Sequence, residues 1–240
     1  MRKFHSIYTL IFFFAYLEIY SQNIRIDYFV ESGEKVYRNY LITNERESIW
    51  KYLSEDALVQ EDHLENEYLY KNYDDNMLYK TDGIFNQKIY LADSLNQIKW
   101  TLTNETRIIL GKKCQSARAI FRGRSYTAWY APSIHVSNGP WKLGGLPGLI
   151  LEAQTDDKLF KYYASELDEN YTKGMDIPDI KSEHFISWSE FKDKFKSVVN
   201  NYLKSVRASG VIDDDSNFKI RILAPEIIYS KVQDKEGITY

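Results

Sequence analysis

Beyond Asn23 the chain is cut, about every 10 residues, into short runs of alternating, β-branched and aromatic residues, and this rhythm restricts it to a meander of antiparallel strands. The runs read NIRIDYFVES, KVYRNYLITNE, EYLYKNY, NMLYKTD, QKIYLAD and IKWTLTNE, with charged or glycine-containing breaks between them. Two further runs, RIILGKKCQSARAIF and SYTAWYAPSI, are divided by RGR, where Gly123 supplies the positive φ of a tight hairpin. Alternation puts Tyr126 and Ala128 on one side and Thr127 and Trp129 on the other, so both sides of that strand are expected to be covered. LILEAQT and LFKYYASELDE follow, joined at Asp156 and Asp157. The 20 tyrosines, 12 phenylalanines and 5 tryptophans agree with strands.

The rhythm changes once. Phe191, Phe195, Val198, Val199, Tyr202, Leu203 and Val206 are spaced by threes and fours and define one face of a helix over about residues 189–208. Ser187 with Glu190 forms a capping box, and Gly210 is placed to stop the helix. Lys192, Lys194, Lys196, Lys204 and Arg207 occupy the other face, but Glu190 and Asp193 dilute any attraction to an anionic membrane, which favours a helix lying apolar side down on a sheet. Residues 169–183 read as the loop feeding it. An acidic turn at Asp213 to Asp215 then leads to a possible last strand, FKIRILAPEIIY. The predicted fold is mainly β: a single curved antiparallel sheet or half-barrel with one C-terminal amphipathic helix packed on it.

Ahead of the strands, Arg2 and Lys3 precede an apolar run from Ile7 to Tyr20, followed by Ser21 and Gln22, in the order of a cleaved secretory signal. The run is short for a membrane span and contains Glu18. Residues 1–21 are therefore expected to be a signal peptide and 22–240 a single β domain, periplasmic or secreted, with no transmembrane segment after signal removal. Of 31 Lys+Arg and 34 Asp+Glu, the leader carries Arg2, Lys3 and Glu18, so the mature chain has a net charge of about −4 and no basic face for a nucleic acid.

Catalytic signatures are scarce. His63, His135 and His184 are scattered, no HExxH or paired-cysteine spacing exists, and no metal or cofactor is expected. His63 and Glu65 match only half of a zinc-deaminase pattern, since the cysteine pair is missing. The acidic stretch Glu61 to Glu67 lacks calcium-loop spacing. GxSxG, GxGxxG and GxxxxGK[ST] are all absent, and two sequons, at Asn104 and Asn170, are short matches. Cys114, the single cysteine, is a candidate thiol nucleophile with His135 as base, against the ordinary reading of a buried small hydrophobe.

One stretch stands apart: GPWKLGGLPGLI, from Gly139 to Ile150. Pro147 and Gly148 suit a type II turn, and Leu146 is held extended by the proline after it. Leu146, Leu149 and Ile150 are too apolar for a solvated tip, so the turn should fold over the core or line a cavity. Gly144 and Gly145 would let the backbone pass close to Trp141 or Trp129.

Gly145 to Ile150 spell the string of the GLPGLI family of exported Bacteroidetes proteins, which this chain resembles. The likeness extends to Trp100, Leu102, Glu105, Thr106, Ile109, Gly111, Cys114 and Ala117, and to FRGRSYTAWY from Phe121, covering about residues 98–155. It departs at LAPEII, Leu223 to Ile228, where relatives carry Asn-Asn-Pro-Ile-Glu-Leu. The resemblance implies an envelope location and names no activity.

By fold-level analogy, a curved sheet with an aromatic concave side suggests a non-enzymatic binding or carrier protein for an apolar or amphipathic ligand or a peptide. Trp129, Tyr130, Trp141, Leu146, Leu149 and Ile150 would form the wall, with Arg122 or Arg124 meeting an anionic group at the rim. Core packing is the competing account of each. The alternatives are a thiol-dependent enzyme using Cys114 and a structural or interaction module of an envelope complex, and the possible partners are lipid, peptide or an envelope protein.

Overall fold

The computed structural model describes residues 22–53, 67–84, 87–209, 221–222, 224–226, 232–234 and 237–239. The expected signal peptide, His63, and all of the acidic stretch but Glu67 lie outside the described residues, as do Gly210 and the Asp213 to Asp215 turn.

Twelve strands form one sheet. In chain order they are β1 (Asn23–Ser32), β2 (Lys35–Thr43), β3 (Glu47–Tyr52), β4 (Tyr68–Asn72), β5 (Met77–Ile84), β6 (Gln87–Ser94), β7 (Thr101–Ile109), β8 (Lys112–Phe121), β9 (Arg124–Ala131), β10 (Leu149–Thr155), β11 (Phe160–Tyr171) and β12 (Phe185–Ser187). Helix α1 (Trp188–Ala208) follows, and then β13 (Arg221–Ile222), β14 (Val232–Asp234) and β15 (Gly237–Thr239), a small separate sheet. Spatial order in the large sheet is β12-β6-β5-β4-β3-β2-β1-β11-β10-β9-β8-β7. Two meanders are thus joined by the β1–β11 pair.

The fold is mainly β with one helix packed on the sheet, as expected. One pair in this mostly antiparallel sheet is parallel, β12 with β6. After β11 the chain crosses the sheet through residues 172–184 and re-enters at the far edge, and only a long crossover of this sort permits a parallel pair. On the way, Met175 and Ile180 cover the cluster of Ile42, Ile49 and Tyr70 on one face.

The other face is concave and carries the main core. Register shifts in β1–β11, β9–β10 and β7–β8 bend the ladder. The bending brings distant strands together: Arg122, in the β8–β9 turn, pairs with Asp93 on β6, although seven strands separate β6 from β9 in the sheet. The turn itself is as expected, with Arg122 and Gly123 both at positive φ (47° and 83°).

Helix α1 closes the β5–β6 end of the concavity. Phe191, Phe195 and Val199 pack on Ile84, Ile89 and Leu91. Its start is the expected capping box, the Ser187 hydroxyl accepting from the Glu190 N–H while the Glu190 carboxylate accepts from the Ser187 N–H.

Candidate functional site

The connection between β9 and β10, residues 132–148, does not leave the sheet as a surface loop but tucks into its concave side. Leu143, Leu146, Leu149, Ile150 and Leu151 are at most 1% exposed. Pro147 makes a tighter bend than the expected type II turn, since the Gly148 N–H donates to the Leu146 carbonyl two residues back. Gly148 is at φ 151°, and a Cβ there would sit 2.3 Å from the Ala131 carbonyl oxygen, so the turn lies directly on the end of β9. The bulky neighbour of Gly144 and Gly145 is Trp100, whose indole N–H donates to the Gly144 carbonyl at 2.8 Å, and neither Trp141 nor Trp129 has that role.

Lys71, on β4, fastens this loop from across the concavity. Its ammonium donates to Asn138 Oδ1 at 2.7 Å, the Leu143 carbonyl at 2.8 Å and the Gly139 carbonyl at 3.3 Å. Three oxygens match three N–H donors, yet none carries a formal charge, and burial pushes the amine down to about 7. Asn138 in turn donates to Thr43 Oγ1, and Tyr28 donates to the Ile150 carbonyl at 2.6 Å.

An aromatic row runs beneath the loop. Tyr28 meets Trp50 at 5.4 Å between centroids, Trp50 meets Tyr162 at 6.4 Å, Trp141 stacks on Tyr162 at 6.3 Å, and Phe121 abuts Trp141 at 6.0 Å. Trp141 adopts φ 52°. Trp141 and Lys142, though adjacent in sequence, line different cavities.

At the end of this row lies a buried ionic cluster. Arg122 pairs with Asp93 and, through Nε at 3.2 Å, with Glu226; Lys142 reaches the same Glu226 oxygen at 2.7 Å. All four side chains are less than a tenth exposed. Trp188, the first residue of α1, covers the cluster, its ring 3.6 Å from the Arg122 guanidinium carbon and 4.8 Å from Lys142 Nζ. Burial lowers the Lys142 amine to about 8, with Lys80 and Arg122 adding to the fall and Glu226 opposing it. Burial also lowers Lys80, but the charges of Asp82 and Glu226 outweigh it and leave that amine raised.

A cavity of about 470 Å³ opens beside the cluster, with Lys71, Lys142, Asp93, Leu78 and Phe121 among its lining residues and Asn96, Gln97 and His135 at its exposed side. A second, of about 240 Å³, is bounded by Trp50, Tyr52, Tyr68, Lys80 and Trp141.

Of the residues expected to form the wall or its rim, Trp141 alone lines either cavity, while His135, the expected base, lies at the exposed side of the larger one and Cys114 lines neither. Leu146, Leu149 and Ile150 are core behind the wall. Tyr130 is buried with its hydroxyl on Gln115. Trp129 points to the opposite face of β9, under the Arg107 guanidinium at 4.1 Å. The two arginines expected at a rim are interior instead: Arg124 is 2% exposed and pairs with Asp157. Cys114 is wholly buried, with its thiol raised by burial. Among the described residues no group of histidine, cysteine and acidic side chains is arranged to hold a metal. Lys71, Lys80, Asp93 and Glu226 went unmarked in the sequence; each is a single charge in an apolar or alternating run, a weak signal of burial.

A family model described as N-glycanase peptide, N-terminal domain, matches residues 34–178, more than half of the chain. The chain belongs to that family. Its N-glycanase N-terminal domain thus runs from just before β2 through β11 and holds the cavity loop, while α1 and Glu226 fall outside it. No curated protein matches the chain. Two solved structures share the fold: PNGF-II in a P21 space group (18% identity, 74% of this chain and 34% of that one, TM-score 0.56) and PNGF-II in a C2 space group (19%, 74%, 33% and 0.54). The chain spans about a third of the length of those solved chains.

Proposed function

We propose that this N-glycanase-type domain is a non-enzymatic binding module of the cell envelope, exported under the leader at residues 1–21, that takes an amphipathic ligand or a peptide into the 470 Å³ cavity. The observation that carries this reading is the cavity's mixed lining. Leu78 and Phe121 offer apolar surface, Lys71 and Lys142 bring buried amines, and Asn96, Gln97 and His135 supply hydrogen-bonding groups near the opening. A volume of this size suits a small molecule or a few residues of peptide. The GLPGLI resemblance supports the envelope location, and membership of the N-glycanase family supports action beside a glycanase.

Native mass spectrometry of the full chain purified from its own envelope tests this. The expected result is a bound mass that His135→Trp, a substitution at an exposed lining residue, removes. Protein with no bound mass and no ligand-dependent shift in melting temperature would sink the proposal.

A second reading, an interaction module, has its own support. β7 ends the sheet order, and Leu102, Ile108 and Ile120 are exposed on β7 and its neighbour β8. Ile108→Lys together with Ile120→Lys should then abolish self-association in light scattering while leaving the bound mass in place.

A further inference from the structure

The concavity already holds a short length of peptide, and it is the chain's own. Residues Ala224, Pro225 and Glu226 lie against the β8–β9 turn and the start of β9, 100 positions along the chain from Arg124. The Arg124 guanidinium donates twice to the Ala224 carbonyl, at 3.1 and 2.8 Å, and the Tyr126 hydroxyl donates to the Pro225 carbonyl at 3.0 Å. The Glu226 carboxylate, 6% exposed, sits between Lys142 and Arg122. Main-chain carbonyls and one carboxylate are therefore read by four side chains of the sheet and its loop, which is how a receptor reads an extended acidic peptide.

Two observations separate a receptor from ordinary core. Arg122 Nη1 is buried with no hydrogen-bond partner among the described residues, so Glu226 does not satisfy the guanidinium that faces it. The family match, moreover, covers Arg122, Arg124, Tyr126 and Lys142 but stops before Ala224. The recognising side chains belong to the N-glycanase-type domain, and the strap they hold does not.

We propose that Arg122, Arg124, Tyr126 and Lys142 form a binding site for an extended peptide carrying an acidic side chain, and that Ala224–Glu226 is its built-in competitor. The proposal goes beyond the binding-module reading, adding to the cavity a second, peptide-reading site that shares only Lys142 with it. Displacing the strap exposes the carboxylate pocket, the two carbonyl contacts and the unpaired Nη1 together. A competing segment lowers apparent affinity by the fraction of time it leaves the site open.

The test uses the full chain and a fluorescein-labelled peptide with the sequence of residues 221–228, read by fluorescence anisotropy. Glu226→Ala should bind this peptide about tenfold more tightly than the parent chain, the gain expected when a closed form outweighs an open one about ten to one. A peptide with glutamine in place of its glutamate should show no gain. Adding Arg122→Ala to Glu226→Ala should remove the gain. Binding that persists when His135→Trp is added shows the strap groove working independently of the 470 Å³ cavity, so the two proposals fail separately. A cooperatively folded Glu226→Ala chain with no preference for the acidic peptide would overturn the inference. Should that variant not fold, hydrogen exchange of the parent chain decides: faster exchange at the residue 226 amide in excess acidic peptide supports the competitor, and unchanged exchange overturns it.

Discussion

Lys71 both lines the larger cavity and holds the loop that shapes it. Its three carbonyl contacts hold the 138–143 segment against the sheet, so Lys71→Met leaves buried acceptors unpaired and should lower stability by about 3 kcal/mol at neutral pH, measured by urea unfolding. Its pH signature has a definite sign. The folded chain holds this proton with a pKa of about 7 and an unfolded lysine near 10.5, so the unfolded state binds more protons between those values. Stability from this group should rise across pH 7 to 10 and stay flat below, and the methionine variant should lose that rise. The glycines give a sharper contrast. Gly148→Ala drives a Cβ into the Ala131 carbonyl and should abolish stable folding, whereas Gly111→Ala, at φ 74° with nothing within 4 Å, should cost only about 1 kcal/mol in thermal melts. Cys114, at 0% exposure with a raised thiol, should resist iodoacetamide until the chain unfolds.

At the scale of elements, local information was legible and distant information was not. Helix α1 begins at Trp188 and ends at Ala208, one residue from the expected start, because a capping box and a 3.6-residue period are both written within the segment itself. Ser187→Ala should lower stability by about 1 kcal/mol. Its capping partner Glu190 is held below the usual carboxylate range, chiefly by the Ser187 backbone N–H, so that contribution is present at neutral pH and fades as acid protonates the carboxylate. β4 is the counterexample. In Tyr68 to Asn72 tyrosines alternate with leucine and lysine, and nothing in the pattern says which side is inward; Leu69 and Lys71 are the residues that face the concavity. The parallel β12–β6 pair and the inward turn of Arg124 were equally hidden, because each depends on chain arriving from 95 or more positions away. The apolar residues of the glycine stretch show in the sequence that it turns inward, but not that Leu146, Leu149 and Ile150 are core behind the cavity wall, nor that Trp100, 44 positions away, is its neighbour.

For the molecule as a whole, the curl of the sheet decides where charge is buried. Asp93 on β6 and Arg122 beyond β8 meet only because the sheet bends back on itself, and Asp93→Ala would leave Arg122 and Lys142 sharing a single carboxylate. A loss of about 3–5 kcal/mol is expected in urea unfolding, larger than for removal of Asp74, the partner of Arg46 in an exposed pair that water screens. The strap adds a matter of timing. Arg124 and Ala224 are 100 positions apart, and a chain emerging amino end first completes every strand from β1 to β12 before residue 224 exists. Any part of the sheet that forms in that interval forms with the inner groove unfilled, and so displays to its surroundings a surface that the finished protein keeps to itself.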